Sequence, residues 1–295
     1  MIKKAVLVVS FGTSYADTRK RTIGAIERRM EERFPDREIC RAWTSGFIIK
    51  KVARDEGLTV DTPAEALQRL AASGITDLIV QPTHLSDGYE NRRMLEIVKE
   101  YSGRFEKVTV GRPLLFTEED RKYVAELMPK LCLGKANEMC SSQARFDGAD
   151  GVCSEKRCAG DEDRKDTDDA RDNTALLLMG HGSDKHPVPV YEQLQQVFFD
   201  EGADNVFVAT VEGTPTFEDA EKRLRESGCR KVVLAPLMIV AGDHAVNDMA
   251  GDSPDSWRSR LQAVGYETQV ILKGLGEYAE IQERFVEHAL EAGCV

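Results

Sequence analysis

No run of apolar residues in this chain approaches the roughly 20 that a membrane-spanning helix needs. Excess positive charge is also lacking, because 51 Asp and Glu oppose 40 Lys and Arg and leave a formal net charge of -11 at pH 7. A broad surface for nucleic acid or for an anionic membrane is therefore not expected, since like charges repel. A small polar ligand or a cation fits this composition better.

A disulfide framework is not indicated either. The seven cysteines are an odd number, and the apolar run near the start of the chain is short and lacks the small-residue cleavage pattern of a secretory signal. We therefore expect a cytoplasmic protein whose cysteines are thiols or metal ligands.

What the chain does have is a regular alternation of strand and helix patterns. Buried-strand runs such as "KAVLVVSF" and "TDLIVQPTH" alternate with amphipathic segments such as "TPAEALQRLAASG". This order predicts α/β domains, each with a parallel sheet flanked by helices. In the quoted helix we expect Asp61 or Thr62 at the N-cap, Pro63 in the first turn and Gly74 at the end.

The second half of the chain repeats the first. At one constant offset, residues of the first half fall on counterparts in the second: Leu70 on Leu224, Gly74 on Gly228, Pro82 on Pro236, Gly88 on Gly242 and Glu90 on His244. The repeat predicts two similar domains, residues 1–133 and 174–295, with a ligand cleft between them at the carboxyl ends of the strands. The C-terminal helix is expected to pack back on the first domain.

Residues 134–173 interrupt the alternation. This segment is rich in Gly, Asp, Lys and Arg and has little to bury, which predicts a polar linker or surface insertion. Cys140, Cys153 and Cys158, with Cys132 just upstream, also admit a thiolate site for a soft metal or an iron–sulfur cluster. Their spacing matches no compact motif, so the linker interpretation is preferred.

Three polar residues directly follow predicted strands of the second half. They are His181 in "MGHGS", Glu212 in "TVEGTP" and His244 in "VAGDHAVNDM". Two imidazoles and a carboxylate suit a divalent transition ion such as Co, Ni, Fe or Zn, and three ligands leave coordination positions open. The first half has Phe11 in place of His181, which suggests that one copy kept a packing role while the other acquired chemistry.

Each of these residues also has a less specific interpretation. A lone histidine or glutamate after a strand is commonly a hydrogen-bonded or solvated loop residue. Gly180 and Gly182 favour the ligand interpretation of His181, because glycines allow the backbone to approach a bulky ligand closely. The pattern does not complete the G-x-G-x-x-G of a dinucleotide-binding loop, so a nucleotide is not expected.

The first half offers two further candidates on the loop that matches the one carrying His244. Glu90 can take or relay protons across the cleft, or it interacts only with the dipole of its helix. His84 is either a ligand-binding residue or a satisfied core histidine. His186 and His288 are expected at the surface.

Several stretches resemble the anaerobic sirohydrochlorin cobaltochelatases of cobalamin biosynthesis, which are class II chelatases. They are "VLVVSFGTSYADTR", "RAWTSGFIIKK", "LLLMGHGS", "PLMIVAGDHAVNDMAGDSPDSW" and "GLGE". The resemblance implies two pseudo-twofold-related α/β domains, a metal site at His181, Glu212 and His244, and Glu90 at the active site. Weaker expectations for substrate binding fall on Ser10, Phe11, Gly12, Thr13, Thr44, His84 and Met238.

The resemblance also implies a reaction. Co²⁺ would enter sirohydrochlorin or factor II as two protons leave, with no nucleotide or redox cofactor besides the metal that is inserted. His181 and His244 would hold the ion and then accept protons, while Arg54, Arg92 and Arg93 are candidates to pair with substrate carboxylates. A ferrochelatase, a nickel chelatase and a non-catalytic tetrapyrrole or metal carrier stay open as alternatives, as does a homo-oligomer.

Overall fold

The computed structural model describes residues 2–142 and 173–294, which form two mainly parallel sheets covered by helices. The prediction of two similar α/β halves is confirmed. No helix in this described part of the chain is long and apolar enough to cross a membrane.

Within the described residues, the first half supplies four parallel strands and six α-helices. The strands are β1 (Lys4–Ser10), β2 (Glu38–Trp43), β3 (Asp77–Pro82) and β4 (Lys107–Val110). The helices are α1 (Ala16–Arg21), α2 (Ile23–Arg33), α3 (Gly46–Glu56), α4 (Pro63–Ala72), α5 (Tyr89–Tyr101) and α6 (Glu118–Ser142).

The second half repeats this arrangement with a π-helical turn near the cleft. Its strands are β5 (Thr174–Gly182), β6 (Val206–Glu212), β7 (Lys231–Pro236) and β8 (Glu267–Val270). The helical segments are α7 (Val190–Asp200), α8 (Phe217–Ser227), the π-helical turn Ala245–Met249, α9 (Trp257–Ala263) and α10 (Ala279–Leu290). A last strand, β9 (Gly293–Cys294), ends the described chain.

The strand order places equivalent strands at equivalent positions in the two sheets. The first sheet has the order β2-β1-β3-β4-β9 and the second has β6-β5-β7-β8. β1 and β3 therefore correspond to β5 and β7, and each pair lies at the centre of its sheet. The side chains of Ala5–Val9 and Ala175–Met179 are fully buried, as expected for central strands covered on both faces.

The residues predicted to begin and end α4 do so in the structure. Thr62 is the N-cap of α4, where its hydroxyl accepts a hydrogen bond from the Glu65 N–H while the Glu65 carboxylate accepts from the Thr62 N–H at 2.8 Å. Pro63 opens the helix, and Gly74 follows it with φ +81°. Gly228, the counterpart of Gly74, likewise ends α8 with φ +70°.

One apolar cluster joins the two halves. It contains Met30 and Ile79 from the first half together with Leu176, Phe198 and Phe285 from the remainder of the chain. Because burying one such side chain contributes about 1.5–3 kcal/mol, this shared core holds the sheets in a fixed relationship. The cleft between the sheets is therefore built on a common core.

The C-terminal segment returns to the first sheet. β9 pairs antiparallel with β4, and α10 places His288 against the first half. The His288 ring lies between the Arg112 carbonyl, 3.0 Å from Nδ1, and the Asp120 carboxylate, 2.9 Å from Nε2. The surface expectation for His288 is wrong, because these partners hold the ring fully buried.

The segment between the halves begins within a helix. Residues 134–142 of the predicted linker continue α6. The cysteine site considered for Cys140, Cys153 and Cys158 lies outside the described residues, apart from the backbone of Cys140. Cys132, just upstream, is buried in the shared core.

Candidate active site

A cavity of about 440 Å³ lies where the two halves face each other. Its walls come from the carboxyl ends of the two central strands of each sheet, β1, β3, β5 and β7, and from the loops that follow them. The residues that line it include Phe11, Leu85 and Glu90 from the first half and His181 and Met238 from the second. The position matches the general rule that ligands bind beyond the carboxyl ends of parallel strands.

Two of the predicted metal ligands come together beside this cavity, which His181 lines and His244 does not. The rings of His181 and His244 lie edge to face, with centroids 4.8 Å apart and an angle of 87° between their planes. His181 ends β5, and His244 precedes the π-helical turn after β7. Parallel strands thus bring together two residues that are far apart in the sequence.

Hydrogen bonds fix the same tautomer in both rings. Nδ1 of His181 lies 3.0 Å from the carbonyl oxygen of Gly182, and Nδ1 of His244 lies 2.6 Å from Oδ2 of Asp248. Since a carbonyl and a carboxylate only accept, each Nδ1 carries a proton, and in the neutral form of each ring Nε2 is the nitrogen with the lone pair. Both rings therefore offer Nε2 to a metal ion.

Glu212 lies one strand away from this pair. It ends β6 opposite Gly182 of β5, and its side chain is exposed. Within the described residues, no three His, Cys, Asp or Glu side chains are grouped closely enough to hold a metal ion. The structure thus brings the two histidines together and leaves the carboxylate on the neighbouring strand.

The two glycines that flank His181 are required by the protein itself. A Cβ on Gly180 would lie 2.3 Å from the Tyr191 ring, and one on Gly182 would lie 1.7 Å from the Glu212 carbonyl oxygen. Gly182 also has φ +70°, which disfavours other residues. Close packing within the protein therefore requires glycine at both positions and helps to position His181. The approach of a ligand to these glycines stays a prediction.

Glu90 and Phe11 face the cavity from the opposite half. Glu90 lies in the first turn of α5, where the helix dipole favours a carboxylate. Phe11 is 50% exposed, and its ring forms part of the cavity wall. The two halves thus contribute different chemistry to one space.

His84 lines the cavity as a neutral ring. Its side chain is buried, and neither ring nitrogen makes a well-formed hydrogen bond within the described residues. Burial lowers the pKa of His84 to about 4, so the ring is uncharged at neutral pH. It adds hydrogen-bonding capacity to the cavity without adding charge.

The weaker substrate-binding predictions divide into two groups. Five of these residues line the cavity: Ser10, Phe11, Gly12, His84 and Met238. Thr13 and Thr44 lie behind the cavity wall, where the Thr13 hydroxyl accepts from the Tyr15 N–H and the Thr44 N–H donates to the Ser10 carbonyl. Both support the loops that form the wall.

Two functional contacts are not evident from single residues in the sequence. Asp248 orients His244 from four positions later in the chain. Residues four apart are neighbours on a helix, so recognising a helical turn here would have predicted this contact. Tyr15 donates from its hydroxyl to Oδ1 of Asp243 at 3.0 Å, a bond between the two halves at the residue before His244. The Asp243 bond and burial raise the pKa of Tyr15, which keeps its hydroxyl protonated as a donor.

The three arginine candidates occupy different surroundings. Arg54 pairs with its neighbour Asp55 at 2.6 Å, its side chain is 75% exposed, and it does not line the cavity. Arg92 and Arg93 lie on α5 beside a second cavity that adjoins the first. Arg54 is thus the least suited of the three to contact a ligand in the cleft.

Comparisons with known proteins agree on one family. A family model described as cobalt chelatase (CbiK) matches residues 4–140 and 157–293. A sirohydrochlorin cobaltochelatase of Salmonella typhimurium is 36% identical over 291 residues, covering 99% of this chain and 97% of that protein. A sirohydrochlorin cobaltochelatase of Nitratidesulfovibrio vulgaris is 27% identical and covers 99% of this chain and 91% of that protein.

A solved structure agrees at the level of fold. SirB from Bacillus subtilis with Fe³⁺ has a TM-score of 0.59 at 13% identity, with 98% of this chain and 95% of that chain covered. The class II chelatase resemblance drawn from the sequence motifs is confirmed by the family model and the relatives. The chain belongs to the cobalt chelatase (CbiK) family.

Proposed function

We propose that this enzyme inserts Co²⁺ into sirohydrochlorin. One divalent ion enters the macrocycle and two pyrrole N–H protons leave, so no electron is transferred and no redox cofactor or nucleotide is needed. The observation that carries the proposal is the His181–His244 pair, whose rings lie edge to face where His181 lines the cleft shared by the two halves. The names of the full-length relatives supply the tetrapyrrole and the metal.

The second half is suited to deliver the ion. Nε2 of His181 and Nε2 of His244 are the first two ligands, and Glu212 on the adjacent strand is the third in this proposal. Three ligands at most leave other positions of the ion open to the macrocycle nitrogens. A carboxylate on an exposed, rotatable side chain can both bind the arriving ion and release it.

The first half is suited to receive the macrocycle and one of its protons. Glu90 lines the same cavity from α5, so its carboxylate is the candidate acceptor for a pyrrole proton. Once the ion has left, His181 and His244 can accept protons as well. Phe11, Leu85 and Met238 give the cavity apolar walls against which a flat ring packs.

An anaerobic absorbance assay tests the function. Purified protein is mixed with excess sirohydrochlorin and Co²⁺, Fe²⁺ or Ni²⁺, and each rate is corrected for spontaneous insertion. Many turnovers that are fastest with Co²⁺ support the proposal. Ligand chemistry alone does not separate these ions, so faster turnover with Fe²⁺ or Ni²⁺ would identify that ion as the metal that is inserted. Tight binding without turnover would identify a carrier. A cytoplasmic location stays a prediction, which cell fractionation tests.

A further inference from the structure

A second cavity, of about 560 Å³, adjoins the cleft. It is formed by the first two turns of α5, residues 88–96, and by the loop 185–188 after β5. Gly88, Tyr89, His186 and Val188 line both cavities. We call this second cavity the basic annex, and it lies across the two halves as the cleft does.

The charge of the annex is opposite to that of the protein as a whole. Arg92, Arg93 and Lys185 line it together with His186, and Glu96 is the single acidic residue among its lining residues. The whole chain carries a formal charge of -11, so this concentration of cations is local. A local positive field in a concave site attracts and retains an anion.

Two of these cations are available to a ligand. Arg92 already pairs with Asp87 at 3.3 Å. Arg93 and Lys185 are exposed, and neither takes part in an ion pair within the described part of the chain. The helix adds to their effect, because no side chain caps α5 at Gly88 and its first N–H groups favour negative charge.

The wall between the cleft and the annex is a pair of flat rings. Tyr89 and His186 stack with centroids 4.5 Å apart and an interplanar angle of 12°. One ring comes from each half, so the stack connects α5 to the loop after β5. A planar ligand in the cleft can lie beside these rings with its edge directed into the annex.

We infer that the annex binds peripheral carboxylates of the tetrapyrrole held in the cleft, with Arg93 and Lys185 as the groups that recognise them. This inference rests on the proposed function for the identity of the ligand. Carboxylates pair well with both guanidinium and ammonium groups. The annex therefore positions the ring and selects acidic tetrapyrroles over neutral ones.

The test is a binding titration that needs no metal. Anaerobic fluorescence gives the Kd of metal-free sirohydrochlorin for the parent protein and for the double variant Arg93→Gln/Lys185→Gln. We expect a Kd about tenfold higher in the double variant. The matched control is Lys99→Gln/Lys130→Gln, which removes two exposed charges that line neither cavity and should change the Kd less than twofold.

A second ligand separates carboxylate recognition from general effects. The same macrocycle with its carboxylates converted to methyl esters should bind the parent and the double variant equally. An unchanged Kd for the acid form in the double variant overturns the inference, and so does a tenfold difference that persists with the ester. Since the titration contains no metal, a parent that fails to insert Co²⁺ defeats the proposed function and leaves this result standing.

Discussion

The imidazole of His181 meets that of His244 edge to face, with 4.8 Å between the ring centroids. The two residues end or follow β5 and β7, which are neighbours in the second sheet. In the first sheet, Phe11 directly follows β1, and the loop after β3 leads to Glu90. One half therefore supplies two imidazoles, and the other supplies an apolar ring and a carboxylate.

Replacing either histidine should abolish insertion and leave the fold intact. His181→Ala or His244→Ala removes a nitrogen that the proposal assigns to the metal. Loss of a residue that only supports a metal ligand costs up to about 100-fold in affinity or activity, so loss of the ligand itself should lower the rate at least about 100-fold. His181 is exposed and His244 is half-buried, so the Tm should change little. Cobalt insertion and a thermal melt are measured side by side. A variant that inserts Co²⁺ at the parental rate contradicts the metal site.

Removing the partner of His244 should weaken metal binding selectively. Asp248→Ala takes away the acceptor 2.6 Å from Nδ1, so the ring loses its fixed tautomer and orientation. We expect the KM for Co²⁺ to rise about tenfold while the KM for the tetrapyrrole stays near the parental value.

Two further variants show whether Asp248 acts through orientation. Asp248→Asn keeps a carbonyl acceptor and should restore part of the affinity for Co²⁺. Asp255→Asn, at an exposed position in the following loop, is the matched control and should behave like the parent. Equal KM values for Co²⁺ in the parent and in Asp248→Ala would remove Asp248 from the site.

Much of this arrangement can be read from the sequence because it depends on local and repeated signals. The equivalence of Leu70 with Leu224 and of Gly74 with Gly228 indicates two copies of one unit, and both leucines are fully buried. Since parallel strands end at a common edge, two residues placed after such strands are expected to converge. His181 and His244 converge for this reason.

Other features depend on contacts that no local pattern contains. His288 has a sequence context typical of a surface helix, yet Asp120 from the first half holds it in the interior. The need for glycine at position 180 comes from the ring of Tyr191. The stack of Tyr89 on His186 joins the two halves. Each case needs the packing of distant elements, which the sequence does not specify directly.

The anchor of the C-terminal helix should make stability depend on acid pH. Burial alone would raise the pKa of Asp120, but hydrogen bonds from His288, Arg112 and the Thr117 N–H outweigh it and hold that pKa well below its usual range. Arg284 also donates to this carboxylate, at 2.8 Å. Since the folded pKa is lowered, the stabilisation is complete above the unfolded value of about 3.9 and is lost as the pH falls below it.

Asp120→Asn tests this anchor. The variant should lose about 3 kcal/mol of unfolding free energy at pH 7, because it leaves the half-buried guanidinium groups of Arg112 and Arg284 without their buried carboxylate. Urea unfolding at several pH values should show the gap between parent and variant closing below about pH 4. Asp36→Asn, which breaks an exposed pair with Lys4, is the control and should change little at any pH. A gap that is constant with pH would contradict the assignment.

Gly182 should matter for both stability and activity, and Gly57 provides a matched comparison. The two glycines have nearly the same φ, +70° and +68°. A Cβ on Gly57 meets nothing within 4 Å, whereas one on Gly182 meets the Glu212 carbonyl oxygen at 1.7 Å. Gly57→Ala should cost about 1–2 kcal/mol from conformation alone. Gly182→Ala should cost about 1–3 kcal/mol more, because the strand ends must separate.

Comparing Gly182→Ala with Gly57→Ala tests whether the close approach of β5 and β6 positions His181. At about 2–4 °C per kcal/mol, the Tm of Gly182→Ala should lie clearly below that of Gly57→Ala. Since Gly182 also supplies the carbonyl that orients His181, its variant should lose cobalt insertion at temperatures where it is still folded. Gly57 ends α3 away from the cavity, so Gly57→Ala should keep the parental rate. Equal melting temperatures and equal rates for the two variants would mean that β5 and β6 separate without consequence, and His181 would then be positioned by other contacts.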